Sequence, residues 1–212
     1  MTTTIAPSRL TRFKNNRAVQ RFAESTSGLI GLGLTIFIGL AALLAPVLNP
    51  YDPTTDRDYA ARLQGPSWEH WFGADGLGRD ILTLVWYGLR TSLVIGLVSV
   101  LLGLIIGVSL GLAAGYFRGW IEGVVGWLTD VMLAFPSILL AIAVVTITGP
   151  SVVSVMMAVG IVQIPKFIRL TRSMVLSLRE QEFVQTVRAF GAQPPRIIFL
   201  HILPASLAPI VV

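Results

Sequence analysis

Cysteine is absent from this 212-residue sequence, which excludes disulfides and thiolate metal sites and leaves the compartment open. Charge is scarce. Asp, Glu, Lys and Arg make up 13% of the chain, half the share of about 25% found in soluble domains. Histidine occurs twice, at His70 and His201, and no HExxH, GxSxG or Cys/His cluster is present. A P-loop lysine follows glycine, whereas Lys14 follows Phe13 and Lys166 follows Pro165. No catalytic residue, metal site or cofactor is expected. Any energy source must be an ion gradient or another protein.

What fills the chain is apolar. Hydrophobic residues make up 54% even with the 20 glycines left out, and the mean hydropathy is +0.75. The class is all-α integral membrane, a polytopic transmembrane helix bundle. The high isoelectric point, near 10.2, comes from basic residues that flank apolar runs. Nucleic-acid binding needs a clustered basic patch, so no nucleic acid is expected as a partner.

Residues 28–48 supply 21 uncharged positions, twelve of them Leu, Ile, Val or Phe. A span of about 30 Å of hydrocarbon takes about 20 residues, so this is span one. The bland alternative, a cleaved signal peptide, has a shorter core and is not followed by further spans. Spans two, three and four are expected at 91–115, 131–149 and 150–168, and 205–212 would begin a fifth. The basic tail, residues 1–27, carries Arg9, Arg12, Lys14, Arg17 and Arg21; Lys166, Arg169, Arg172, Arg179, Arg188 and Arg196 follow. These are eleven of the sixteen basic residues. Four spans separate the two groups, so both are expected in the cytoplasm, N-terminus included. The 49–90 connection, six acids against four basic residues, is then external. From Arg79 to Arg90, Ile81, Leu84, Val85 and Leu89 share one face, which predicts a helix lying in the outer interface.

Ser99, Gly103, Gly107, Gly111 and Gly115 recur every four residues. Such a stripe lets another helix backbone approach closely, either within this chain or on a partner subunit. Asp130 lies six residues before Pro136 and is expected at the cytoplasmic edge, hydrated, instead of in a proton path. Pro136 is expected to kink its helix. Ser151, Ser154 and Gln163, with Pro136, are candidate pathway residues.

Residues 182–204, "EFVQTVRAFGAQPPRIIFLHILP", form a basic helix pair. Phe183, Val187 and Phe190 fall on one apolar stripe. Gly191 suits a left-handed C-terminal cap, Pro194 and Pro195 suit a helix start, and Pro204 ends the second helix. By physics alone this hairpin, residues 177–203, either docks on a partner or rests on membrane lipid.

The segment resembles the coupling loop of ATP-binding-cassette importer permeases: Glu-Ala-Ala, three residues, Gly, nine residues, Ile-x-Leu-Pro. Gly191 and Leu203-Pro204 stand at that spacing, while the triplet is Gln185-Thr186-Val187 and His201 takes the Ile position. "FGADGLGRDILTLVWYGLRTSLVIG", "GYFRGWIEGVVGWLTDVMLAFPSILLAI", "IRLTRSMVLSLREQEFVQTVRAFGA" and "HILPASLAPIVV" are similar to the di/oligopeptide and nickel branch. The resemblance implies a type I importer permease subunit of the bacterial inner membrane, with 91–212 as its core. It implies a second permease, two cytoplasmic ATPase subunits and an extracytoplasmic substrate-binding protein as partners. Glu182, Phe183, Gln185, Val187, Arg188, Ala189, Phe190 and Gly191 would dock on the ATPase. Peptides or nickel complexes would cross by ATP-driven alternating access. Family members have six spans, so the chain is expected to be a truncated product that does not transport alone. A non-transporting scaffold and an ion-coupled carrier are the alternatives; the latter needs charges buried mid-span.

Overall fold

The computed structural model describes residues 24–48 and 58–206. The basic arginines of the tail and the start of the fifth span from residue 207 lie outside the described residues. The chain divides into two compact units, Met1–Leu93 and Val94–Val212.

In the first unit, α1 runs Thr26–Leu48, uncharged throughout, with Ala41, Ala42 and Ala45 buried and Leu29, Leu34, Leu40 and Leu43 exposed. Residues 58–80 fold into a compact loop. Leu63 N–H donates to the Asp75 carbonyl and Ala74 N–H to that of Gln64. Gly73 and Gly78 have φ of 77° and 75°, and a Cβ on Gly78 would run into the Asp58 carbonyl. Only glycine fits there. The Asp75 carboxylate accepts from Arg79 Nη2 at 2.6 Å and from the Leu77 and Arg79 N–H groups at 2.8 and 3.0 Å. Asp80 caps the next helix, accepting from Thr83 N–H at 2.7 Å, and its other oxygen lies 3.2 Å from His70 Nδ1.

That next helix, α2, is Ile81–Phe117, 37 residues. The interfacial helix expected before span two is therefore not separate; residues 81–90 are the first turns of α2. No proline interrupts the i→i−4 ladder there, and Thr91 Oγ1 bonds back to the Tyr87 carbonyl.

The second unit is built on α2 and α5 (Val152–Arg179). The glycine stripe packs within this chain. Ideal Cβ atoms on Gly103, Gly107, Gly111 and Gly115 would sit 2.9, 2.5, 2.7 and 2.7 Å from Cβ of Gln163, Phe167, Thr171 and Val175. Ser99 Oγ donates to the Met156 carbonyl at 2.9 Å, and Gly160 answers from α5, its Cβ position 3.1 Å from the Ser99 carbonyl. Residue numbers rise together on both helices, so α2 and α5 run parallel and the chain must return between them.

The return is not the single helix 131–149 expected as span three. It is α3 (Gly119–Ala134) and α4 (Ser137–Thr148), bent by 96°. The proline is the cause: Pro136 has no N–H to donate and its ring excludes the preceding turn, so it starts α4 instead of kinking a continuous helix. Along α5 the contacts move steadily from one end to the other. Glu122 of α3 meets Arg172, Asp130 meets Arg169, and α4 shares a groove with Val155, Ala158 and Val159. Legs of 16 and 12 residues at 96° bring the outer ends roughly 28 Å apart at 1.5 Å per residue, close to the bilayer core of about 30 Å. The pair is one broken crossing; a re-entrant loop would return to its starting end. Span four, expected at 150–168, belongs to an α5 that continues through Pro165 to Arg179.

Gly107→Ala should destabilise the α2–α5 pair by about 1–3 kcal/mol through overpacking, read as a lowered thermal midpoint in detergent. Gly96→Ala, where a Cβ meets nothing within 4 Å, should be neutral. Equal midpoints would refute close packing at Gly107. In the 58–80 loop, the Arg79 side chain and then the turn N–H groups lower the Asp75 pKa from 3.8 to about 2. A depressed folded-state pKa contributes stability above the ordinary value and loses it as pH falls through the folded one. Hydrogen-exchange protection at Leu77 and Arg79, corrected for intrinsic rates, should hold above pH 3.8 and fade toward about 2. In Asp75→Asn that transition should vanish.

Candidate functional site

The hairpin that follows α5 is short and tightly cornered. Helix α6 is Glu182–Ala189, with Glu182 in its first turn and Arg188 in its last, both favourable to the helix dipole. Gly191 has φ 80°. Its N–H donates to the Arg188 carbonyl at 3.0 Å and that of Ala192 to the Val187 carbonyl at 3.3 Å. These are the paired bonds of a Schellman ending.

The second helix differs from expectation. Helix α7 is only Pro194–Ile197, followed by a π turn, Ile198–Ile202. Pro204 does not end it, because residues 203–206 remain helical. Pro204 has no N–H for the i−4 carbonyl and its ring crowds that carbonyl. The wider π turn relieves both, with Leu203 N–H bonding the Ile198 carbonyl.

The expected stripe of Phe183, Val187 and Phe190 is split. Val184 is fully buried, while Phe183 is 42% and Phe190 87% exposed, and Val187 is half-buried. Val184, Ile197, Ile198 and Ile202 form one core with Val108, Leu112 and Tyr116 of α2 and Val175 of α5. Glu182, Gln185 and Ala189 are exposed around the outer face, and Arg188 is exposed as well.

Beside this core lies a belt of charge. Arg172 donates to Glu122 at 2.6 Å through Nη2 and 3.2 Å through Nε, and Arg118 lies 3.9 Å from the same carboxylate. Arg169 pairs with Asp130 at 3.3 Å, both largely exposed. Arg179 Nη1 donates to the Tyr116 carbonyl at 2.7 Å. The Arg188 guanidinium sits 5.5 Å from the Tyr116 ring centroid. The arginines at the α5 end of the hairpin thus hold α5 to α2 and α3.

Two family models match the sequence. The description "binding-protein-dependent transport system inner membrane component" covers residues 107–212, which contain the hairpin, the charge belt and three of the stripe glycines. This chain belongs to that family. A second model, the N-terminal transmembrane domain of oligopeptide transport permease C, covers residues 11–66. The dipeptide transport system permease protein DppC of Alkalihalophilus pseudofirmus is 48% identical over 195 residues, 92% of this chain and 64% of that protein. The glutathione transport system permease proteins GsiD of Salmonella typhimurium and of Escherichia coli are 45% and 41% identical, each over 193 residues, 91% of this chain and 64% of theirs. The chain thus spans 64% of the length of these relatives. It is a multi-pass membrane protein, with three helices among the described residues apolar and long enough to cross, or four where the bent pair counts as one span.

The four pathway candidates of this chain are not brought together. Pro136 forms the bend. Ser151 caps α5, accepting from Ser154 N–H at 3.0 Å, with the two hydroxyls 2.8 Å apart. Gln163 is half-buried against Gly103, roughly 13 Å along the helix from Ser154. Sequence reasoning missed Tyr116, Val184 and Arg179. The apolar period through Val184 was the one available signal, since a ring–guanidinium contact across 72 residues has none.

At Gly191 a Cβ meets no atom within 4 Å, so the demand is on backbone conformation alone. Gly191→Val should cost about 1–2 kcal/mol and speed amide exchange across α6. Gly191→Asn should cost much less. Equal exchange in the two variants would remove the cap from the account.

Proposed function

We propose that this chain is the permease subunit of an ATP-driven peptide importer, forming half of the translocation path with a second, similar permease. The observation that carries the reading is the capped hairpin, seated on the ends of α2 and α5 with Phe183 and Phe190 turned outward. Family membership supports the reading, and so do the dipeptide and glutathione transport named for its relatives. Two cytoplasmic ATPase subunits would receive Glu182, Phe183, Gln185, Ala189 and Phe190. The positive-inside asymmetry supports an N-terminus and hairpin in the cytoplasm. A substrate-binding protein would approach from outside, where Trp68, Trp71 and Phe72 are exposed. ATP is hydrolysed on the partners, and the broken crossing at Pro136 borders the path, as discontinuous helices do in other transporters.

The test is purification of the intact, tagged permease from its own membranes, followed by reconstitution with whatever co-purifies. Two ATPases and a second permease are expected, with uptake of radiolabelled dialanine or glutathione that requires ATP and the binding protein. Uptake abolished by a protonophore but indifferent to ATP would install an ion-coupled carrier instead. A chain that purifies alone and transports nothing would be a scaffold.

A further inference from the structure

The charge belt contains one contact that neither packing of the spans nor docking of an ATPase requires. Tyr116 sits in the last turn of α2, just before the left-handed corner at Arg118 and Gly119 (φ 57° and 61°). The residue is 7% exposed, in the core that also holds Val184 of α6 and Ile202 of the π turn. Its carbonyl takes the 2.7 Å bond from Arg179, the last residue of α5. Its ring face takes Arg188, from the last turn of α6, at 5.5 Å. Three elements therefore end on one residue.

Resting on the importer reading above, we propose that Tyr116 is the positioning residue that relays hairpin movement to α2. Arg188, grouped by sequence with the docking face, is the hairpin's inward arm. Its neighbours on the outer face, Phe183 and Phe190, meet the partner. A displacement of α6 then pulls the end of α2 through the ring and the end of α5 through the Tyr116 carbonyl together. The two parallel helices move as one body because their glycine contact leaves no slack between them. A cation over an aromatic face holds its position while the helices turn against each other, since the attraction is to the whole face. No hydrogen bond through the Tyr116 hydroxyl enters this account.

The measurement is peptide uptake per ATP hydrolysed, with the full-length permease assembled with its ATPases and binding protein in proteoliposomes, and labelled dialanine or glutathione as probe. Tyr116→Phe keeps the ring and should match wild type. Tyr116→Met fills the space without a π face and should lower the ratio about fivefold to tenfold, from the worth of a partly desolvated cation–π contact. ATPase subunits bound per permease should not change. A residue that mattered only for folding would lower bound ATPase, hydrolysis and uptake together. Arg188→Met, at an exposed position, guards against poor folding of the core variant and should lower the ratio likewise, with no further drop in the double variant. An unchanged ratio in both single variants, with a working wild type, would overturn the relay and leave the importer standing. A wild type that binds no ATPase would bring down both.

Discussion

The close approach of the α2 and α5 backbones is the contact on which the rest of the second unit depends. In lipid, burying apolar side chains against one another gains little, because the acyl chains are equally apolar. Association rests on packing density and a few polar contacts. Five positions without a side chain beyond hydrogen or hydroxymethyl, Ser99 through Gly115, let α5 side chains at Gln163, Phe167, Thr171 and Val175 lie against bare backbone. A parallel pair so formed forces a return crossing. It also holds the two helix ends at one level, which is where Tyr116, Arg172 and Arg179 meet.

The return crossing carries its own constraint. Between them α3 and α4 use 28 helical residues for a distance that a straight helix covers in about 20. The excess is stored in the 96° bend. Pro136 offers no N–H to the carbonyl of Met132, and irregular backbone at membrane depth is tolerated only against protein or beside water. The bend is therefore unsuited to a lipid-facing position. That is a stronger constraint on the surroundings of Pro136 than its kink alone. Ser151 and Ser154 lack an equivalent argument, since each satisfies the other at the start of α5.

Much of this was legible in the sequence, and the limits have physical causes. Uncharged runs of 20 or more residues announce crossings because the bilayer sets their length. The four-residue recurrence of glycine announces a close-packed face, although not its partner, since α5 presents ordinary side chains at the contact. The turn at Gly191 could be read from the residue type. The division of span three could not be read fully: proline permits both a gentle kink and a sharp corner, and the choice falls to what α5 offers each leg. The π turn at Ile198–Ile202 was hidden because the strain from Pro204 can be met by ending a helix or by widening it. Val184 was passed over in favour of its larger neighbour Phe183, although burial depends on the face and not on side-chain size.

The inward and outward faces of α6 set a requirement on any mechanism that pushes it. An eight-residue helix is too short to be stable alone in water, so its shape is borrowed from the core beneath. Val184, which is fully buried, and the Schellman ending at Gly191 make that loan rigid. Force applied at Phe183 or Phe190 therefore cannot be absorbed by bending α6 without opening the core shared with Tyr116 and Val175. The energetically cheaper response is for the whole seat to move, carrying the ends of α2 and α5. Short, capped and anchored on one side, the helix suits a lever better than it suits a hydrophobic patch whose only task is adhesion.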